Sequence, residues 1–256
     1  MKFYQYLIES RSNVIDEKQA IDFLEKNYEV NDTKIYRGNN ALSYDKIYII
    51  DPKNFNRKSK NTANYYTLLI DNSPRWSKYP KRSKSIICST DYHDSGFYGK
   101  VFLVIPEIGS KIGICPKSDI WDSFVNIRDL NKFNNMLGRL FELDKRMNQL
   151  PKTHTQLLRN FKVLDDIFAE QDNLVSFLSI KISRYIMSLD FIETFSAYVQ
   201  NLKLTTLEAL EKILDPNING FEIATAGNFN VDDCREVWTD GVSILMSREM
   251  FNKLMR

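Results

Sequence analysis

The sequence predicts an α+β protein on three observations: short Ile- and Tyr-rich strand candidates in the first half, helical periodicity from about residue 129 to 214, and a return to strand character after Pro216. Strands, helices and strands again describe a sheet interrupted by a helical insertion. At 256 residues the chain is long enough to bury a core, and 43% hydrophobic and 12% aromatic content is that of a globular protein. No window approaches the roughly 20 apolar residues of a membrane helix, so no membrane partner is expected. The 35 basic residues nearly balance 33 acidic ones, so any polyanion site has to be local. Cys88, Cys115 and Cys234 are odd in number and lack the short paired spacing of zinc sites, which points to free thiols, a reducing compartment and no metal. With only His93 and His154, a nucleophile–histidine triad has little material.

Taken in order, Ser12 or Asn13 can cap a helix running through Asp16 to Tyr28, with Ile21, Leu24 and Tyr28 on one face. Residues 34–37 and 44–50 read as strands, the second closed by Asp51-Pro52. Residues 53–84 read as polar and irregular. Three further strand candidates follow at 85–88, 101–105 and 111–115, the middle one stopped by Pro106. Helical spacing then takes over in Leu130, Phe133, Leu137, Leu140 and Phe141, in Leu157, Leu158, Phe161, Leu164, Ile167 and Phe168, and in Leu174, Phe177, Leu178 and Ile182. Residues 221–225, 235–238 and 242–246 return to strand character, and Ser247 can cap a final helix containing Met250, Phe251 and Leu254.

Three segments carry chemistry: Ile35-Tyr36-Arg37-Gly38, then Ser85-Ile86-Ile87-Cys88-Ser89-Thr90, then Glu236-Val237-Trp238-Thr239-Asp240-Gly241. An arginine at a strand end suits a pyrophosphate, because its planar fork pairs bidentately with phosphate oxygens. Gly38 beside it lets a cofactor or backbone pass close. Ser89 and Thr90 lead into a stretch with Tyr92 and Tyr98, small and aromatic residues that suit a short helix or loop over a flat ring. A carboxylate at Glu236 can stabilise developing positive charge. Opposite unit charges at ~4 Å, with an effective dielectric near ~20, attract by ~4 kcal/mol, about three decades of rate if the attraction acts only in the transition state. Each segment alone also has a plain structural meaning: a surface arginine in a turn, a Ser/Thr helix cap with core aromatics, an edge-strand glutamate in solvent.

In their order these segments resemble the arginine, serine-threonine and glutamate signatures of the ADP-ribosyltransferase superfamily, whose members split NAD and transfer its ADP-ribose. The resemblance implies a split mixed β-sheet core closing around NAD, which is used as a substrate without a metal. By resemblance Arg37 grips phosphate, Ser89 orients the ribose and the glutamate, and Glu236 drives glycosidic cleavage, with Gly38, Thr90, Tyr92 and Tyr98 completing the NAD site. Arginine-modifying members carry Glu or Gln two residues before the catalytic glutamate, where this chain has Cys234. A thiol is no equal base at neutral pH, so another acceptor, NAD hydrolysis or a lapsed enzyme all remain open. Asp232 and Asp233 would need a slipped register to substitute.

The first residues, Met1-Lys2-Phe3-Tyr4-Gln5-Tyr6-Leu7-Ile8-Glu9, resemble the leader that large tailed bacteriophages place on proteins packaged in their heads, cut after a Leu/Ile-x-Glu triplet and hence here after Glu9. An ordinary amphipathic first turn is the other meaning. The leader implies a virion protein carried inside the head and delivered to the host cytoplasm for host takeover, with head components and packaged DNA as partners. The expected organisation is a leader at 1–9, the first part of an NAD-binding core at 10–125, a helical insertion at 126–216 and the rest of the core at 217–256. One run competes for attention: residues 75–84 hold five basic residues with Trp76 and Tyr79 interleaved, a mixture that can track phosphates while stacking bases. Two alternatives therefore stand beside the enzyme: a non-catalytic head protein that keeps the fold, and a nucleic-acid-binding module built on 75–84. The acceptor of ADP-ribose, a host protein or a nucleic acid, is not legible.

Overall fold

The computed structural model describes residues 13–54, 56–57, 65–124, 137–142, 145–169 and 189–256. Expectations for the leader with Glu9, and for Leu130, Phe133, Leu174, Phe177, Leu178 and Ile182, fall outside these residues. The elements run β1 (Asn13–Ile15), α1 (Glu17–Asn27), β2 (Ile35–Gly38), β3 (Ile47–Ile50), α2 (Tyr65–Asn72), β4 (Ile86–Ser89), α3 (Tyr92–Gly96), β5 (Val101–Pro106), β6 (Lys111–Ile114), α4 (His154–Ala169), α5 (Leu189–Asn201), α6 (Thr206–Ile213), β7 (Glu222–Thr225), β8 (Glu236–Thr239), β9 (Ser243–Met246) and α7 (Arg248–Leu254). The chain divides into two compact units, one made of 1–57, 77–123 and 216–256 and the other of 58–76 and 124–215.

In the first unit the nine strands form one sheet in the order β1-β3-β9-β5-β2-β4-β8-β6-β7. Every pairing among them is antiparallel, where a mixed sheet was expected. The interior strand β5 is apolar without a break, and its side chains alternate between two cores. Phe102 and Val104 join Ile35, Ile86, Ile112 and Val237 on one face, while Leu103 and Ile105 join Ala20, Leu24, Ile244 and Phe251 on the other. That second face is covered by α1 and α7, the latter capped by Ser247 as expected. Neighbouring strands share three or four register pairs, except β2 and β4, which share the single pair Tyr36↔Ser89. The sheet is thus two runs joined at one residue pair.

Helix α1 starts later than expected. Residues 13–15 are drawn into the edge strand β1 against β3, so the cap passes to Asp16, whose carboxylate accepts from Gln19 N–H (2.8 Å) while Gln19 Oε1 accepts from Asp16 N–H (3.1 Å). Ala20 and Leu24 face the core and Ile21 is exposed, a rotation of the expected face.

In the second unit α4 buries Leu157, Phe161, Leu164 and Phe168, the stripe that its spacing predicts. The expectation of irregular chain over 53–84 is corrected by α2, where Tyr65, Tyr66, Leu69 and Ile70 are buried and Tyr65 packs edge-on to Phe141 at 5.6 Å. Thr205 and Glu208 form a capping box on α6, and Asp165 of α4 accepts from Thr206 N–H at 2.6 Å, tying these helices together. Asn160 is fully buried and satisfied by the Asn148 backbone, with its Oδ1 accepting from N–H and its Nδ2 donating to C=O, both at 2.7 Å. No helix among the described residues is long and apolar enough to cross a membrane.

Candidate active site

The three signature strands β2, β4 and β8, far apart in sequence, are consecutive in the sheet. Ser89 is the register partner of Glu236 on β8 and of Tyr36 on β2. Directly paired residues of an antiparallel ladder carry their side chains on the same face about 5 Å apart, so Ser89 and Glu236 stand side by side. Arg37, the next residue along, begins on the opposite pleat, and its guanidinium is anchored by Nη1 donating to the Ile87 carbonyl of β4 at 2.6 Å. It therefore lies at the junction of the two runs of strands.

Gly38 lets backbone come close, and the backbone that comes is α3: a Cβ built there would meet the Ser95 carbonyl oxygen at 2.0 Å and the Tyr98 Cβ at 2.9 Å. This contact holds α3 and the chain after it over the end of β2. Asp91 caps α3 by accepting from Asp94 N–H (2.9 Å), and Ser89 Oγ accepts from Asp91 N–H (3.0 Å). Thr90 faces elsewhere. Its hydroxyl donates to Asp233 C=O (2.8 Å) and accepts from Arg235 N–H (2.8 Å), bonds that prolong the β4–β8 ladder and fix its register. Tyr92 is exposed and meets the Tyr36 ring edge-on at 5.5 Å. Tyr98 is half-exposed. Partial burial raises its phenol pKa first, then the charges of Asp119 and Glu236, with Arg37 acting in the opposite sense. The Tyr98 phenol therefore lies within electrostatic reach of both Glu236 and Arg37.

Three residues of this neighbourhood were missed by sequence reasoning. Arg82 is buried and ion-paired to Glu236, Nη2 to Oε1 at 2.7 Å, with its guanidinium 5.0 Å from the centroid of the Trp238 ring. Cys115 Sγ lies 3.9 Å from the same Oε1, and complete burial, followed by the Glu236 charge, pushes its thiol pKa well up. Asp119 enters through its neighbour: Ile120 N–H donates to Glu236 Oε2 at 3.4 Å. Burial, then the Glu236 charge, raises the Asp119 pKa. Arg82 was visible only as part of a basic run, and nothing in the spacing of Asp119 marked it.

Several side chains of the basic run 75–84 are built into the fold. In the first unit Tyr79 stacks on Trp238 (6.0 Å, 19°) and Arg82 is inside; in the second, Trp76 is buried with Nε1–H donating to Leu214 C=O, and Arg75 pairs with Asp215. A cavity of about 710 Å³ opens at the opposite end of β8 from Glu236, lined by Lys53, Lys81, Lys84 and Lys111 but also by Asp51, Glu107 and Asp240. The carboxylates offset most of its positive charge.

Cys234 is exposed, and its Sγ–H donates to Asp94 Oδ2 at 2.9 Å. Burial and that bond push its pKa up to about 11, so it stays a thiol at neutral pH. Ligand atoms of Asp91, Asp94 and Cys234 lie within 4.8 Å of one another, but Asp91 is spent as a helix cap and Asp94 on the thiol. The register that would slip Asp233 toward the site is not adopted: Ser89 pairs with Glu236, and Asp233 pairs with Arg235 in solvent. No family model matches this sequence, and no curated protein or solved structure matches it.

Proposed function

We propose that the chain is an NAD-dependent ADP-ribosyltransferase in which Glu236 stabilises the ribosyl cation, Ser89 orients the ribose and the Arg37 guanidinium meets the pyrophosphate. The observation that carries the reading is the adjacency of β2, β4 and β8 with Ser89 and Glu236 in register. Three motifs resembling one superfamily, spaced over 200 residues of sequence, need no such adjacency if their resemblance is accidental. The single-pair junction between β2 and β4 supports the finer reading of the sheet as split in the manner of that superfamily. Cleavage of the nicotinamide bond passes through an oxocarbenium-like state, and a carboxylate held rigidly near it works by electrostatic preorganisation. Arg82 and Ile120 N–H supply that rigidity. Delivery inside a bacteriophage head, with action in the host cytoplasm, belongs to the same proposal and rests on the leader sequence alone.

A second reading, a non-catalytic head protein that keeps the fold, is favoured by one observation: Glu236 Oε1 is already engaged by Arg82. Labelled NAD incubated with the protein and a host lysate decides between them. Label transfer or nicotinamide release that is lost in Glu236→Gln supports the enzyme; NAD left intact by the wild type overturns it.

A further inference from the structure

Glycosyl transfer sets two tasks, and Glu236 answers only one. A carboxylate beside the anomeric carbon stabilises the cation, but the incoming acceptor must also lose a proton as it bonds to C1′, and a second base within reach of it accelerates that step. The position two residues before Glu236 holds a thiol with a pKa of about 11, hydrogen-bonded to Asp94, which takes no proton at neutral pH. Asp233 is largely exposed and paired with Arg235. Asp91 caps α3, and Asp94 is occupied by the Cys234 thiol.

Asp119 differs from all of these in its neighbour, since the peptide N–H that follows it is bonded to Glu236. It lies in the chain after β6, is half-buried, and its Oδ1 accepts from Trp121 N–H at 2.7 Å while its carbonyl accepts from Ser123 Oγ–H at 2.8 Å. These bonds fix the turn and the carboxylate together. The next peptide N–H is bonded to Glu236 Oε2, so the turn is clamped directly onto the reactive carboxylate. Tyr98, in the chain just after α3, feels the charges of Asp119 and Glu236 together. We propose, on the ADP-ribosyltransferase reading, that Asp119 is the general base of the transfer step, accepting the proton of the incoming acceptor.

The bond from C1′ to the nicotinamide nitrogen breaks with its electron pair going to the ring, which leaves neutral. A lone pair on the acceptor oxygen or nitrogen forms the new bond to C1′, and the acceptor proton moves to an Asp119 carboxylate oxygen and from there to water. Burial first, then the Glu236 charge, raises the proton affinity of Asp119, with a smaller push from Asp122; the Trp121 N–H bond and then Arg82 lower it, and the net direction is upward, toward a stronger base. Acceptors in this scheme are groups that must be deprotonated as they attack: water, a hydroxyl or a guanidinium.

The test replaces the acceptor by azide, which has no proton to lose. Asp119→Asn should slow nicotinamide release into water, and transfer to a protein acceptor, by about 100-fold or more while leaving transfer to azide near the wild-type rate. Glu236→Gln should lose both. Asp119→Glu, which keeps a carboxylate, should retain much of the water reaction, and the rising limb of the wild-type pH profile should vanish in Asp119→Asn. Equal losses with water and azide in Asp119→Asn, or no loss with either, would overturn the role of Asp119 while leaving Glu236 chemistry intact. A wild type that releases no nicotinamide with either nucleophile overturns the transferase reading itself, and the proposal with it.

Discussion

Replacing Arg82 by Met should unfold much of what holds Glu236 in place. The two side chains are 6% and 14% exposed and 2.7 Å apart, so the pair is a buried one. Removing one member of such a pair costs about 3–5 kcal/mol, because the remaining charge is left in the interior without its partner. Loss of the guanidinium from the Trp238 face adds about 1 kcal/mol. In a chain of this size each kcal/mol lowers the midpoint by roughly 2–4 °C, so Arg82→Met should melt about 10 °C or more below the wild type. The same arithmetic says that Arg82→Met combined with Glu236→Gln should be more stable than Arg82→Met alone, since no charge is stranded. Urea denaturation of the four proteins of the cycle measures the coupling directly. A loss under ~1 kcal/mol in Arg82→Met, or strict additivity in the double variant, would refute the account of Arg82 as the buried counter-ion.

Other outcomes follow from the same structure. Gly38→Ala should destabilise by about 1–3 kcal/mol in denaturant titration and displace α3, because its Cβ would stand 2.0 Å from the Ser95 carbonyl. Asp119 has a raised pKa in the folded state, so its contribution to stability is whole below the usual carboxylate value and is lost as pH rises through the raised one. Asp119→Asn should therefore gain stability over the wild type at pH 7, a gap that narrows as the solution is acidified, as seen in denaturation curves at the two ends of that range. Cys234 should react slowly with iodoacetamide at pH 7.5, faster only toward its pKa of about 11, and Asp94→Asn should speed the reaction at fixed pH. Asn160→Leu should cost about 2–4 kcal/mol in thermal or urea unfolding, since both backbone groups of Asn148 lose their buried partner.

Much of the strand content could be read from the chain because the strands are short, apolar and bounded by turn residues. Ile86–Ser89, Val101–Pro106 and Ser243–Met246 fall within a residue or so of where the pattern puts them. Helix α2 could not be read this way, because Tyr65-Tyr66-Thr67-Leu68-Leu69-Ile70 is too short and too aromatic for periodicity to separate a helix from a strand, and burial against its own unit decides. The cap of α1 was misplaced for a tertiary reason, since nothing local announces that residues 13–15 will pair with β3. At the candidate site the motif residues were legible because each sits at a strand end beside a small residue or a turn. Their electrostatic partners were not. Arg82 and Asp119 arrive from chain segments whose proximity to Glu236 is set only once β6 and β4 flank β8, and no spacing rule encodes that arrangement.

The single contact Tyr36↔Ser89 between β2 and β4 makes that seam the weakest line across the sheet. Prying the strands apart there would forfeit one ladder pair, whereas the same breach anywhere else would forfeit three or four. A flat guest wedged into the seam would leave both flanking ladders zipped, and Arg37, tethered to the Ile87 carbonyl on the far lip, would be the first side chain to register its arrival.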